Sequence, residues 1–217
     1  MLYERYSELA FTFATDRAMA IIGLERRLLK TFKTRGGFGI LESYLHRSLL
    51  WRASGPCSAT RLKYSQEHQI PSWSWMSLDG CIRYLDIPLG QTEWSKDIYS
   101  PFLVQHSGDS GIFSAVTRGY PIPELRAKTR KFVPTADNEI ILKECLFFDT
   151  EVITSLQELS CVIVGEDKGR LGGKCYVLVI RPVSTSENPE RYERVGVGSI
   201  ERSGISFWES AWEVHII

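Results

Sequence analysis

Pro71-Ser-Trp-Ser-Trp-Met-Ser-Leu-Asp-Gly-Cys-Ile-Arg-Tyr-Leu85 is the stretch in which the chain changes its periodicity. Trp73 and Trp75 alternate with Ser72 and Ser74, as in a strand with one apolar face. Asp79-Gly80 supplies the residues of a tight turn, and Cys81 to Leu85 reads as a returning strand. A β-hairpin is therefore expected over 72–85. The two indoles on one face can be buried in a core, or exposed as a stacking platform for sugars or bases. Core burial is the reading we adopt.

Before this stretch the period is helical. Ala18, Ile21, Ile22, Leu28, Leu29 and Phe32 recur at three-and-four spacing and predict an amphipathic helix over 16–32, with Thr15 or Asp16 placed to cap it. Arg26, Arg27, Lys30 and Lys33 fall late on its opposite face, where cations suit the helix dipole, and read as a solvated face. Thr34-Arg-Gly-Gly-Phe-Gly39 breaks the pattern. Ile40, Leu41, Tyr44, Leu45, Leu49 and Leu50 then predict a second helix ending near Trp51. Residues 52–70, with Gly55-Pro56, read as loop.

After the hairpin, Gly and Pro punctuate strand-like runs at 101–106, 112–118, 139–148, 159–165, 174–182 and 192–201. Residues 205–212 fit either a short helix or a strand, 213–217 reads as a closing strand, and 86–100 is a candidate linker. The expectation is an α+β protein: a helical hairpin and loop over 1–70, and a mainly antiparallel β-sheet domain, sandwich or barrel-like, over 71–217.

Composition narrows the function classes. The chain is 43% hydrophobic, enough apolar material for a core, and its 26 Lys and Arg balance 26 Asp and Glu, so summed charge argues for no nucleic-acid or membrane partner. The excess of base is local, with 11 Lys and Arg against 6 Asp and Glu in residues 1–70. Cys57, Cys81, Cys145, Cys161 and Cys175 are odd in number and lack zinc-ligand spacing, which predicts reduced thiols and, with no long apolar run or leader-like start, a cytoplasmic chain.

Motifs for chemistry are weak. Gly108-Asp-Ser-Gly111 resembles a serine-protease nucleophile segment around Ser110, but His46, His68, His106 and His215 lack that family's context, so a turn is expected. Gly169 to Lys174 lacks the first glycine and the Ser/Thr of a phosphate loop, and Gly196-Val-Gly198 lies in a strand-like run with no helix behind it. We assign no catalytic, cofactor-binding or metal residues.

Three segments together resemble the fungal heterokaryon-incompatibility (HET) proteins, in the region that follows their HET signature block. The first holds Tyr6, Ser7, Thr12, Asp16, Arg17, Ala20, Ile21, Gly23 and Leu24. The second runs from Gly39 through Leu45, Leu49 and Leu50 to Trp51. The third, and the most specific, is Pro71, Ser72, Trp73, Ser74 and Trp75 with Ser77, Asp79, Gly80 and Tyr84. Fainter likenesses lie in Phe148-Asp149-Thr150, Tyr176 to Val179 and Arg194-Val-Gly-Val197. Leu9, Phe11, Ala18, Glu25 and Leu41 depart from the family pattern. The resemblance implies a non-catalytic support, regulatory or partner-binding portion of a protein of fungal self/non-self recognition and regulated cell death, with a protein partner. The family's HET block lies upstream of the first segment, and any activity in it does not carry onto these residues. An apolar patch left open on helix 16–32 would mark its absence. The competing classes are a hydrolase or glycosidase using carboxylates such as Asp79, Glu144 or Asp149, and a carbohydrate- or nucleic-acid-binding module using Trp73 and Trp75.

Overall fold

The computed structural model describes residues 2–54, 59–64, 69–102, 123–135, 139–150, 155–168, 173–183 and 190–217. In chain order these form α1 (Leu2–Ser7), α2 (Asp16–Ala20), α3 (Ile22–Phe32), β1 (Gly36–Gly37), β2 (Ile40–Leu41), α4 (Leu45–Leu49), β3 (Trp51–Ser54), β4 (Thr60–Arg61), β5 (Leu78–Asp79), β6 (Cys81–Tyr84), β7 (Thr92–Trp94), β8 (Ile98–Tyr99), β9 (Leu125–Lys131), α5 (Glu139–Glu144), β10 (Leu146–Phe148), β11 (Ser160–Asp167), β12 (Lys174–Pro182), β13 (Arg191–Glu201) and β14 (Trp212–Ile216). Single 3-10 turns cover Glu42–Tyr44, Trp75–Ser77 and Arg202–Gly204.

Cys175 to Ile180 is apolar without a break, the pattern of a strand buried on both faces. β12 is that strand. Tyr176, Leu178 and Ile180 point into one hydrophobic cluster, which also takes Ile21, Trp51, Trp73 and Trp75 from the front of the chain. Cys175, Val177 and Val179 point into a second, closed by Leu142, Leu146, Leu156 and Ile205. Around β12 the main sheet runs β7-β11-β12-β13-β14-β9-β8, with β10 added against β13. A short β9–β11 pairing at Lys131↔Ser160 and Arg130↔Cys161 joins the ends, so five strands close into a ring. Among the described residues all pairings are antiparallel except β13–β14, at Arg191↔His215 and Tyr192↔Ile216. The α+β architecture with a mainly antiparallel, barrel-like sheet is thus observed.

Gly196 and Gly198 have a packing role. A Cβ on either would meet the Phe147 or Cys145 carbonyl oxygen at 2.6 Å, so glycine lets β10 lie against β13.

The front differs from the expected helical hairpin. The helix over 16–32 is jointed at Ile21, and Thr15 makes no side-chain cap. The second expected helix shrinks to the five residues of α4, because Gly36–Gly37 pairs with Ile40–Leu41 and Trp51 opens a strand. The hairpin over 72–85 does not form. Trp73 lies in a turn and Trp75 in a 3-10 helix, β5 pairs with β4, and β6 pairs with β3. Ser74 explains the false strand signal: its hydroxyl accepts from the Met76 amide at 3.1 Å and donates to the Phe38 carbonyl at 2.7 Å, capping the 3-10 turn.

Three further expectations change. The candidate linker 86–100 contributes β7 and β8 to the main sheet, and the loop 52–70 contains β4 and the end of β3. The run 139–148 divides into α5 and β10, with Ile140 and Ile141 turned to solvent and Leu142 into the second cluster. The strand expected at 112–118, most of that at 101–106, and the turn expected around Ser110 lie outside the described residues.

Candidate functional site

Arg194 of β13 is fully buried, its guanidinium carbon 3.3 Å from the centre of the Trp51 ring. Nη1 donates to the Leu49 carbonyl at 3.0 Å, and Nη2 donates to the Trp51 carbonyl and to Asp149 Oδ1, the latter at 3.3 Å. Nε lies 3.3 Å from Asp149 Oδ2, close enough for an ion pair but not aligned for a hydrogen bond. The backbone amide of Arg194 donates to Ser72 Oγ at 2.9 Å, and Arg61 donates to its carbonyl at 2.7 Å. Burial pushes the Asp149 carboxyl up and the Arg194 guanidinium down from their ordinary values, while each partner's charge opposes the other's shift. This cluster ties the α4–β3 junction, the tryptophan turn and the sheet together.

Arg17 does the same at the other end of the front. Its Nη1 donates to the Leu78 and Gly80 carbonyls at 3.2 and 2.9 Å, and Nη2 to the Ser7 carbonyl at 3.4 Å. Tyr6 donates to the Arg17 carbonyl at 3.2 Å, and the Ile82 amide donates to Ser7 Oγ at 3.0 Å. The half-exposed Asp79 stands 3.9 Å away.

Both tryptophans are closed to solvent. Trp73 accepts the Trp51 indole N–H on its carbonyl at 3.0 Å and meets Phe38 and Phe102 edge to face, while Trp75 packs on Tyr3 and Tyr6. Neither ring offers a face to a ligand. Gly39, at φ +76°, lies under Trp75 so closely that a Cβ there would fall 1.9 Å from the indole nitrogen. Its amide donates to Glu25 Oε1 at 2.5 Å. Burial raises the Glu25 carboxyl to about 7, the Gly39 amide opposing that shift.

An apolar groove of about 430 Å³ opens beside this cluster. Leu2 and Tyr3 of α1, Leu28 and Phe32 of α3, Tyr44, and Leu89 form its walls. Leu89 is 85% exposed, Tyr44 49% and Phe32 48%, so the groove is open to solvent. Arg47 lines it too, donating to the Ile87 and Pro88 carbonyls at 3.1 and 3.3 Å.

The residues that carry the HET resemblance fall mostly into two sets. Tyr6, Ser7, Arg17 and Gly80 meet around the first arginine, and Trp51, Ser72 and Trp73 around the second, with Pro71, Ser74 and Trp75 buried between them. Leu24 is half-buried against the first core, while Thr12, Asp16 and Gly23 are exposed. The three carboxylates suggested for acid–base work have separate surroundings. Asp149 is held by Arg194, Asp79 stands by Arg17, and Glu144 is exposed at the end of α5. His46 stacks on Trp94 with Nε2 2.8 Å from the Ser95 carbonyl, and His215 pairs with Glu124 at 2.7 Å.

The buried roles of Arg194 and Glu25, and the groove, were not expected from the sequence. Glu25 had a signal, since it falls four residues after Ile21 and four before Leu29, an acid on the apolar stripe. Among the described residues, no group of three or more His, Cys, Asp or Glu could hold a metal ion, and no helix is long and apolar enough to cross a membrane. No protein-family model, curated protein or solved structure matches the chain.

Proposed function

We propose that this chain is the non-catalytic, partner-binding portion of a HET-type protein, acting in the cytoplasm in fungal self/non-self recognition and regulated cell death. The observation that carries the reading is the open apolar groove between α1, α3 and residues 84–89. Large side chains left in water along a concave surface favour an interaction face over a finished exterior. The motif residues support it differently. Ser72 and Trp51 hold the front to the sheet through Arg194, and Arg17 holds the front together, which suits a scaffold. The partner in this reading is a HET block, whether joined to this chain or carried on another.

The test is complementation in a filamentous fungus. A HET-block polypeptide and this chain, made as separate proteins, should together give a death response that neither gives alone. Phe32→Asp combined with Leu89→Asp should abolish it while the purified variant keeps its circular dichroism spectrum. A response from the HET block alone, unaffected by this chain, would overturn the reading.

A further inference from the structure

The groove between α1, α3 and residues 84–89 carries a single charge. Leu85, Ile87 and Leu89 line it while Asp86 and Pro88 between them do not, so alternate residues of that wall face inward and its acid is turned away. Leu28 and Phe32, one turn apart on α3, form another wall. Among the described residues that line the groove, Arg47 of α4 is the one with a formal charge.

Arg47 is held in place and still has bonding capacity. Nη2 donates to the Ile87 and Pro88 carbonyls, and the guanidinium carbon stands 5.5 Å from the centre of the Trp94 ring. These contacts fix the charge beside the wall of residues 84–89. Among the described residues, Nη1 and Nε have no hydrogen-bond partner and no carboxylate lies within ion-pair distance. A guanidinium presents its N–H donors in a planar fork, which a carboxylate matches with two parallel bonds.

These features narrow the ligand. A sugar or nucleotide would bury hydroxyls or ring nitrogens against Leu and Phe without partners. An amine is repelled by Arg47, and a plain hydrocarbon takes water from the cation without replacing it. At about 430 Å³ the space falls within the roughly 300–1,000 Å³ usual for small-molecule sites. An apolar chain with one terminal carboxylate suits both the walls and the charge.

We infer that the groove binds a free aliphatic carboxylate of fatty-acid type, its chain along Leu28, Phe32, Ile87 and Leu89 and its head group on Arg47. This takes the groove as a docking surface, as the reading above does, but does not require the partner to be a HET block. A carboxylate bound here and a protein seated here exclude one another, so the ligand is a competitor of that association.

Calorimetric titration with octanoate, decanoate and dodecanoate, each below its micelle concentration, tests this. Every two-carbon step should tighten binding about tenfold. Decanoate should bind about tenfold more tightly than decanol, and decylamine most weakly, with the gaps narrowing as salt rises. Arg47→Met should abolish the preference for carboxylate over alcohol while alcohol binding persists. Phe32→Asp, at a half-exposed position, should keep its melting curve and weaken dodecanoate about tenfold or more. Arg47 also holds the Ile87 and Pro88 carbonyls, so if Arg47→Met fails to fold, the head-group series on the parent protein and Phe32→Asp decide between them. No binding of dodecanoate, equal binding of carboxylate, alcohol and amine, or an unchanged affinity in Phe32→Asp overturns the inference. So does a dimer in sedimentation that Phe32→Asp dissolves, which would make the groove a face between copies. Complementation in the fungus without dodecanoate binding would sink only the carboxylate ligand, and dodecanoate binding without complementation would sink only the HET reading.

Discussion

Two buried arginines hold the front of the molecule, and they are solvated by the protein in different ways. Arg17 is surrounded by carbonyls, with a half-exposed carboxylate at 3.9 Å, whereas Arg194 has a fully buried carboxylate at 3.3 Å and an indole face beneath it. Carbonyl dipoles can satisfy a guanidinium without placing a second charge in the core. A buried acid cannot be left behind in that way, and losing Arg194 strands Asp149. Similar burial therefore conceals different dependence.

Arg194→Ala should be the most damaging change, lowering stability by about 3–5 kcal/mol in urea titration because an uncompensated acid remains. Replacing both partners, Arg194→Met with Asp149→Leu, should recover much of that loss. A double variant as unstable as the single one would break the comparison.

Glu25 sharpens it from the opposite side, as a buried charge with one amide for company. Its folded-state pKa is raised from 4.5 to about 7 by burial, so the folded protein holds this proton more tightly than the unfolded chain. The stability it contributes is complete below about pH 4.5 and lost as pH rises through about 7. Glu25→Gln should flatten that slope, making the variant the more stable protein at pH 8 by up to about 3 kcal/mol. Melting temperatures from pH 5 to 8 measure this, and parallel curves would refute it.

Arg17→Met should cost less than Arg194→Ala, about 1–3 kcal/mol, since it orphans carbonyls and leaves no charge behind. A loss equal to that of Arg194→Ala would make the nearby Asp79 more than a bystander. The smallest effect belongs to the groove: Phe32→Ser should change stability by no more than about 0.5 kcal/mol, because the side chain is already half in water.

β11, β12 and β13 were legible because each carries an apolar run whose burial leaves few other conformations, whereas β7 and β8 lie in the expected linker and β9, with alternating charges, was not expected as a strand. The front was not legible either. Its strands are two to four residues long, too short for any period, and the serine–tryptophan alternation that imitates a strand arises from a side chain capping a turn. Ile140, Ile141 and Leu142 likewise imitate a strand and form a helix with one buried residue. The tryptophans were placed correctly in the core despite the wrong local structure, since two indoles need burial in either conformation. Arg194 and Asp149 lie 45 residues apart and the groove draws on positions from Leu2 to Leu89, so no local spacing could announce either. Arg194 and Asp149 meet because β10 lies against β13.

β12 is a partition with a room on each side. Because Val177 and Val179 face one and Leu178 and Ile180 the other, neither can be emptied while the partition stands. The two halves should consequently melt in one step. The amide protons of Val177 through Ile180 should be the last to trade for deuterium, leaving only when the whole molecule opens.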